Sequence, residues 1–347
     1  MTEAPGVFRS RDSLREAFVD GLELMLAEHH DLGVFILALA NASYDRSIYQ
    51  RLQAPLSARF EALSTQIRTA LRAGRPLSGA ADDVLVFLKL MAVGLNNLEP
   101  TRLRRVGGFE LQFNPLRAYR PARMSGTQVS DLFKPFDASG FHFNKPFLQK
   151  EVFWSGELQG LDCRLLYNKF PFAELHGLLV IEPQENKPQW LGESDHHAVW
   201  QIAEELGASL PGLGFAYNAY GAYSSVNHQH LQMFVRSQGE YPLESVRWRH
   251  SGGGEIYPLE CHRYHDAGQA WRHIQRLHAQ NRAYNLLYRP GCLYLLPRAF
   301  QGWYEHSDWT RGFAWSEVCG AITVFNAEDF AGLDGPAIRE EMARLRG

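Results

Sequence analysis

Two imidazoles and an amide at alternate positions, His228-x-His230-x-Gln232, are the residues of this chain best suited to chemistry. They lie in the stretch from Phe215 to Arg236, whose end alternates polar with apolar residues and is rich in aromatic and β-branched types. That pattern predicts a strand over 228–235. Strand side chains alternate between faces, which sets His228, His230 and Gln232 in a row on one side. Leu231, Met233 and Val235 then face a core on the other. Just upstream, Gly221, Ser224 and Ser225 form a small, hydroxyl-bearing run suited to the approach of an anion. Three chemistries fit. The histidines could be a satisfied structural pair. They could hold zinc or iron, although Gln232 is a poor further ligand and the local run has no Asp, Glu or Cys. Or one imidazole could attack phosphorus while the other fixes its tautomer and the amide holds the phosphate oxygens.

The trio resembles the signature of the histidine-triad superfamily in its transferase branch, which has His-x-His-x-Gln where the hydrolases have a third His. That branch includes galactose-1-phosphate uridylyltransferase, diadenosine tetraphosphate phosphorylase and the GDP-hexose phosphorylases. The resemblance implies that His230 forms a nucleotidyl-histidine, that His228 orients it, and that Gln232 binds a non-bridging oxygen of the α-phosphate. Ser225 stands where the uridylyltransferases place a phosphate-contacting serine, with Ser224 beside it. The Gln has a physical rationale: an amide stabilises phosphate charge but is a poor general base for water, so a covalent intermediate survives until a phosphate acceptor takes it.

Further segments carry the same resemblance. Arg117-Ala118-x-Arg120-Pro121 is similar to the Arg-Ala-x-Arg-Pro segment of the uridylyltransferases, and Phe113-Asn114-Pro115-x-Arg117 to one in the phosphorylases. Arginine forks suit phosphate oxygens, so Arg117 and Arg120 are candidate contacts, in a loop that also carries Arg123. Gly140 to Pro146 lies where many relatives have Cys-x-x-Cys-x-x-Asn; both cysteines are absent, which removes the basis for a structural metal and leaves Asn144 as a nucleotide contact. Asn168-Lys169-Phe170-Pro171 and the following His176-x-Leu-Leu-Val resemble diadenosine tetraphosphate phosphorylase. They offer Asn168 for ribose or phosphate, Lys169 for phosphate charge, and His176 either near the nucleophile or as a structural residue. The Tyr217-Asn218-x-x-Gly221-Ala222 element, with Asn227 rather than Pro before His228, is similar instead to the GDP-hexose phosphorylases and adds Asn218 to the substrate-binding candidates.

These residues need a scaffold. Helical spacing predicts helices over 13–29, 56–73 and 82–95, so residues 1–105 read as a helical region without evident chemistry: a lid, a packing layer or a partner surface. A short strand opens the stretch 109–126 before a Pro-broken loop, and a pair of strands follows within 163–183; a crossover helix over 194–206 has His196 and His197 solvated on its first turn; another helix covers 270–283. The segments 283–297 and 313–325 echo 164–183 and 215–227 without the His-x-His-x-Gln. This internal echo implies two repeats, 106–240 and a degenerate 241–347. The expected fold is α+β: two tandem histidine-triad-like half-barrels with mainly antiparallel sheet, behind the helical region.

Composition narrows the partners. At 347 residues, with 45% hydrophobic and 21% charged residues, the chain reads as globular. A net charge of −3 gives no basic footprint for nucleic acid. Four scattered cysteines (163, 261, 292 and 319) suit reduced thiols in a cytoplasm; Cys261 with His262 and His265 makes an incomplete metal set, and no metal or other cofactor is expected. The first residues lack a basic and apolar leader, and no apolar run reaches membrane-spanning length. A homo-oligomer stays open. The expected activity is cleavage of the α–β phosphoanhydride of a nucleoside diphosphate sugar, the nucleotide passing through a histidine adduct to phosphate or a sugar phosphate. A diadenosine polyphosphate phosphorylase of the ATP adenylyltransferase type, a catalytically silent nucleotide-binding sensor and a metal-dependent hydrolase are the alternatives.

Overall fold

The computed structural model describes residues 6–121, 127–237 and 239–346; Arg123 lies outside them. Four helices come first: α1 (Arg11–Glu28), α2 (Leu32–Tyr44), α3 (Arg46–Arg72) and α4 (Ala81–Val93). Ser10, Asp31 and Asp45 cap the first three by accepting the free N–H groups of the opening turn. Helix α2 escaped the periodicity argument because it is apolar all round; Val34 through Leu39 are fully buried among its neighbours.

The strands are β1 (Arg102–Val106), β2 (Phe109–Phe113), β3 (Val152–Leu158), β4 (Leu161–Tyr167), β5 (Gly177–Ile181), β6 (Leu213–Asn218), β7 (Leu231–Val235), β8 (His262–Tyr264), β9 (Tyr284–Arg289), β10 (Cys292–Pro297) and β11 (Ala321–Val324). Between or after them lie α5 (Pro115–Tyr119), α6 (Glu193–Gly207), α7 (Ala267–Ala279), α8 (Trp315–Val318), α9 (Ala327–Gly332) and α10 (Gly335–Arg344). One eight-stranded sheet, in the order β3-β4-β5-β7-β6-β9-β10-β8, is antiparallel throughout. A second sheet of β1, β2 and β11 pairs β2 with β11 in parallel.

Both faces of the large sheet are covered. Leu165, Leu179, Phe215, Leu231, Met233 and Val235 join the core shared with α1–α4 and α6. Ala216, Phe234, Leu287, Tyr294 and Leu296 face the other core, with Trp315, Val318 and Ile322. The α+β class, the antiparallel sheet and the helical start are as expected from sequence. The internal echo holds only in part. Residues 284–297 form a hairpin beside β6, as 164–181 form one beside β7. The echo of β6 fails, because 313–325 folds as the short α8 followed by β11 in the other sheet. The similarity there is one of residue types: Phe313 and Trp315 fill a core without adopting strand geometry. His196, expected to be solvated, is fully buried between the Tyr288 hydroxyl (2.8 Å) and the Ala267 carbonyl (3.0 Å).

Candidate active site

The His-x-His-x-Gln run straddles the start of β7. Gln232 is in the strand, whereas His228 lies in a bend and His230 in irregular backbone just before it. Side chains, not a neighbouring strand, hold that backbone. Gln189 accepts from His230 N–H at 3.0 Å and donates to the carbonyls of His230 (3.2 Å) and Asn218 (2.8 Å). The Gln229 N–H donates to the Lys187 carbonyl, and its side-chain amide donates to Trp190 O and the Asp195 carboxylate. Asn227 fastens Gln189 N–H to the 134–135 carbonyls.

His230 donates from Nδ1 to the carbonyl of His228 at 2.8 Å. A proton on Nδ1 leaves a lone pair on Nε2, which has no protein partner among the described residues, and the ring lines a cavity of about 940 Å³. This is the tautomer a nucleophile needs. It is set by the His228 backbone and not by its ring, as had been expected. The His228 imidazole instead accepts the Phe143 N–H at Nδ1 (3.1 Å), lies stacked near the Phe143 ring (5.6 Å between centroids), and is absent from the cavity wall. Burial lowers both imidazoles from 6.5 to about 4.

Gln232 also lines the cavity. Its Oε1 meets two donors: His176 Nε2 at 2.8 Å and the indole N–H of Trp315 at 3.1 Å. Ser225, Asn168, Lys169 and Arg120 share the cavity wall, as expected. Lys169 is engaged by the Asp83 carboxylate at 2.7 Å, and the guanidinium of Arg120 lies over the Phe170 ring at 5.0 Å. The remaining candidates sit outside the wall. Ser224 is buried and donates to Val226 O. Asn218 accepts from Asn285 and from the Trp315 backbone N–H, so it joins the two halves of the sheet. Asn144 bonds Pro183 O, Asn186 and Arg164. Arg117 is half-buried, donates to Phe170 O at 2.5 Å and lies over Phe172, propping the 168–172 turn from behind. His176 is fully buried behind two wall residues, Gln232 and Asn168. Gly221 serves packing: its φ is +85°, and a Cβ there would approach Phe300 to 2.4 Å.

The helical region, which offered no chemistry to inspection, supplies much of the wall: His30 to Gly33, Leu63, Ile67 and Ala70 of α3, and Pro76 to Asp83. Gln189, Trp315 and Asp83 were also missed; each acts across a fold contact that linear spacing does not encode. Among the described residues no three His, Cys, Asp or Glu side chains converge as a metal-ion site.

Residues 90–234 match the family described as GDPGP1-like, N-terminal domain. Within the curated proteins, GDP-D-glucose phosphorylase 1 of Danio rerio is 31% identical over 138 residues, which are 40% of this chain and 39% of that protein. The chain thus spans about two fifths of the length of that relative. The fold is similar to that of yeast Ap4A phosphorylase Apa2, with a TM-score of 0.51 at 16% identity, covering 78% of this chain and 95% of that one. The α+β fold expected from sequence, a mainly antiparallel sheet behind a helical start, is thus shared with a solved structure. No helix among the described residues is long and apolar enough to cross a membrane.

The buried imidazoles around this site make stability depend on pH. In the unfolded chain each takes a proton near 6.5; in the fold His228 and His230 refuse it until about 4 and His176 until about 3. The unfolded state therefore binds more protons between about 4 and 6.5, and stability rises with pH across that window. Urea unfolding is expected to lose on the order of a few kcal/mol between pH 7.5 and pH 5. An unchanged midpoint would mean these rings are protonated in the folded protein.

Proposed function

We propose that this protein is a nucleotidyltransferase of the phosphorylase type acting on a nucleoside diphosphate sugar, GDP-hexoses first among them. The observation that carries the reading is His230, held with its proton on Nδ1 and its Nε2 lone pair available in a cavity it shares with Gln232. In the first step Nε2 attacks the α-phosphorus. The N–P bond forms, the bond to the bridging oxygen breaks, and the sugar leaves as its 1-phosphate. In the second step an oxygen of inorganic phosphate attacks the same phosphorus, the N–P bond breaks, and a nucleoside diphosphate is released. The Gln232 amide and Ser225 hydroxyl donate to the phosphate oxygens, while His228 fixes the tautomer through its carbonyl. The similarity to GDP-D-glucose phosphorylase 1 of Danio rerio supports the choice of a GDP-sugar over a diadenosine polyphosphate.

Incubation with ADP-, GDP- and UDP-glucose and with diadenosine tetraphosphate, with and without phosphate, tests the reading. Mass spectrometry is expected to find an acid-labile nucleotide adduct on His230 that phosphate discharges as the nucleoside diphosphate. A nucleotide bound without any adduct or phosphate-dependent turnover would make the protein a sensor instead.

The cavity carries two exposed aromatics, Phe141 (52%) and Phe147 (57%), with ring centroids 6.3 Å apart. They extend from Phe143, whose ring meets the His230 imidazole edge-on at 5.0 Å. A flat nucleobase is the group that such rings hold best. Replacing both by Ala is expected to raise KM for the nucleotide substrate roughly tenfold or more, since base stacking is worth about 1–3 kcal/mol. Steady-state kinetics at saturating phosphate reads this directly.

A further inference from the structure

Gln232 can serve phosphate only if its NH2 group, and not its oxygen, faces the cavity. Neighbours with fixed hydrogens decide the matter. The indole Nε1 of Trp315 is a donor only and lies 3.1 Å from Oε1. The other neighbour is His176 Nε2 at 2.8 Å. His176 Nδ1 lies 3.3 Å from the backbone N–H of Phe172, also a fixed donor, so Nδ1 must accept and the proton sits on Nε2. Both contacts to the Gln232 oxygen are therefore donors. The Asn168 amide nitrogen, 3.2 Å from His176 Nε2, is the one group this arrangement leaves unmatched. The opposite tautomer with a turned Gln232 would set N–H against N–H at two places, Phe172 and Trp315. Two mismatches with immovable donors are worse than one with a movable amide.

We propose that Trp315 is a positioning residue: its indole N–H, with His176, clamps the Gln232 oxygen so that the amide NH2 is presented to the transferring phosphate. Trp315 lies in the C-terminal part of the chain, outside the family-matched 90–234. It is fully buried, its ring stacks on Phe234 at 5.0 Å and 11°, and its backbone N–H is held by Asn218. Each of these fixes where the N–H points. The C-terminal part of the chain then has a role in the chemistry: it aims a group carried by β7. The inference rests on the phosphate-binding role assigned to Gln232.

Trp315→Phe keeps the ring and its stack but removes the donor. With GDP-glucose and phosphate, kcat is expected to fall about tenfold, as for one lost hydrogen bond, with KM changed less than twofold. In a Gln232→Leu background the same change is expected to have no further effect on kcat, because there is no amide left to aim. A purely structural Trp315 would give a multiplicative loss in both backgrounds, and that outcome overturns the proposal. A second reading needs no change at Trp315. In the 15N-labelled protein the Trp315 indole N–H resonance is expected to move on Gln232→Leu; an unmoved resonance overturns the clamp whether or not the enzyme is active. Wild-type protein that transfers no nucleotide overturns the functional reading, and the resonance then judges the clamp by itself.

Discussion

His230→Ala is expected to lower phosphate-dependent turnover by at least about a thousandfold and to eliminate the nucleotide adduct. The reaction routes both half-steps through Nε2 of this ring, and removal of a covalent nucleophile is among the costliest single changes an active site can suffer. The fold should tolerate it. The side chain contributes one hydrogen bond, to the His228 carbonyl, and an edge contact with Phe143; the backbone of the run is held independently by Gln189. Loss of the hydrogen bond is expected to cost about 1 kcal/mol, readable in a urea melt. Nucleotide affinity, measured by calorimetry, should stay within a few-fold of wild type. Turnover that stays near normal in the folded variant sinks the mechanism, whatever the substrate.

The second large effect concerns Gln232. Gln232→Leu is expected to reduce kcat about a hundredfold, the usual consequence of deleting one donor aimed at developing charge. It also leaves the His176 and Trp315 N–H groups without an acceptor, at a further cost of about 1–3 kcal/mol in stability. Gln232→Glu separates the two effects. A carboxylate still accepts from both donors, so stability should recover toward wild type, while turnover should fall below that of the Leu variant because a negative charge now faces the phosphate. A Glu variant as active as wild type would show that the amide NH2 is not what the reaction uses.

Much of the scaffold was legible because burial imposes periods. The helices at 11–28, 46–72, 81–93, 193–207 and 267–279 each cover an expected segment, and Leu231, Met233 and Val235 face the core as alternation required. Helix α2 was hidden for the opposite reason, since a segment buried on every side has no polar face to mark its period. At the site, His230, Gln232 and four of the flanking candidates reached from motif spacing, Ser225, Asn168, Lys169 and Arg120, line one cavity, whereas His228 does not. The strand start was set too early. Residues 227–230 alternate as a strand would, but the N–H and C=O of His230 are taken by the Gln189 amide and the N–H of Gln229 by the Lys187 carbonyl, and a polarity pattern cannot distinguish a sheet neighbour from such partners. Asn218 and Asn144 were misplaced because short amides satisfy buried backbone as readily as they contact ligands. The role of the first hundred residues was illegible because its contribution is made by loop ends at 30–33 and 76–83, whose meeting with Lys169 and Asn168 is decided only by packing.

The pairing of β6 with β9 sets a limit on how the molecule can be divided. Four residues, Phe215 to Asn218, bond to Tyr288 through Asn285, across the border between the family-matched segment and the rest. A fragment cut at 234 would keep the trio yet leave that row of N–H and C=O groups bare at the rim of its sheet, beside the apolar surface vacated by Leu286 and Leu287. Such a rim is a template for joining with another chain. Expressed by itself, the segment that comparison recognises best should self-associate, and adding back 235–346 should restore a dispersed species.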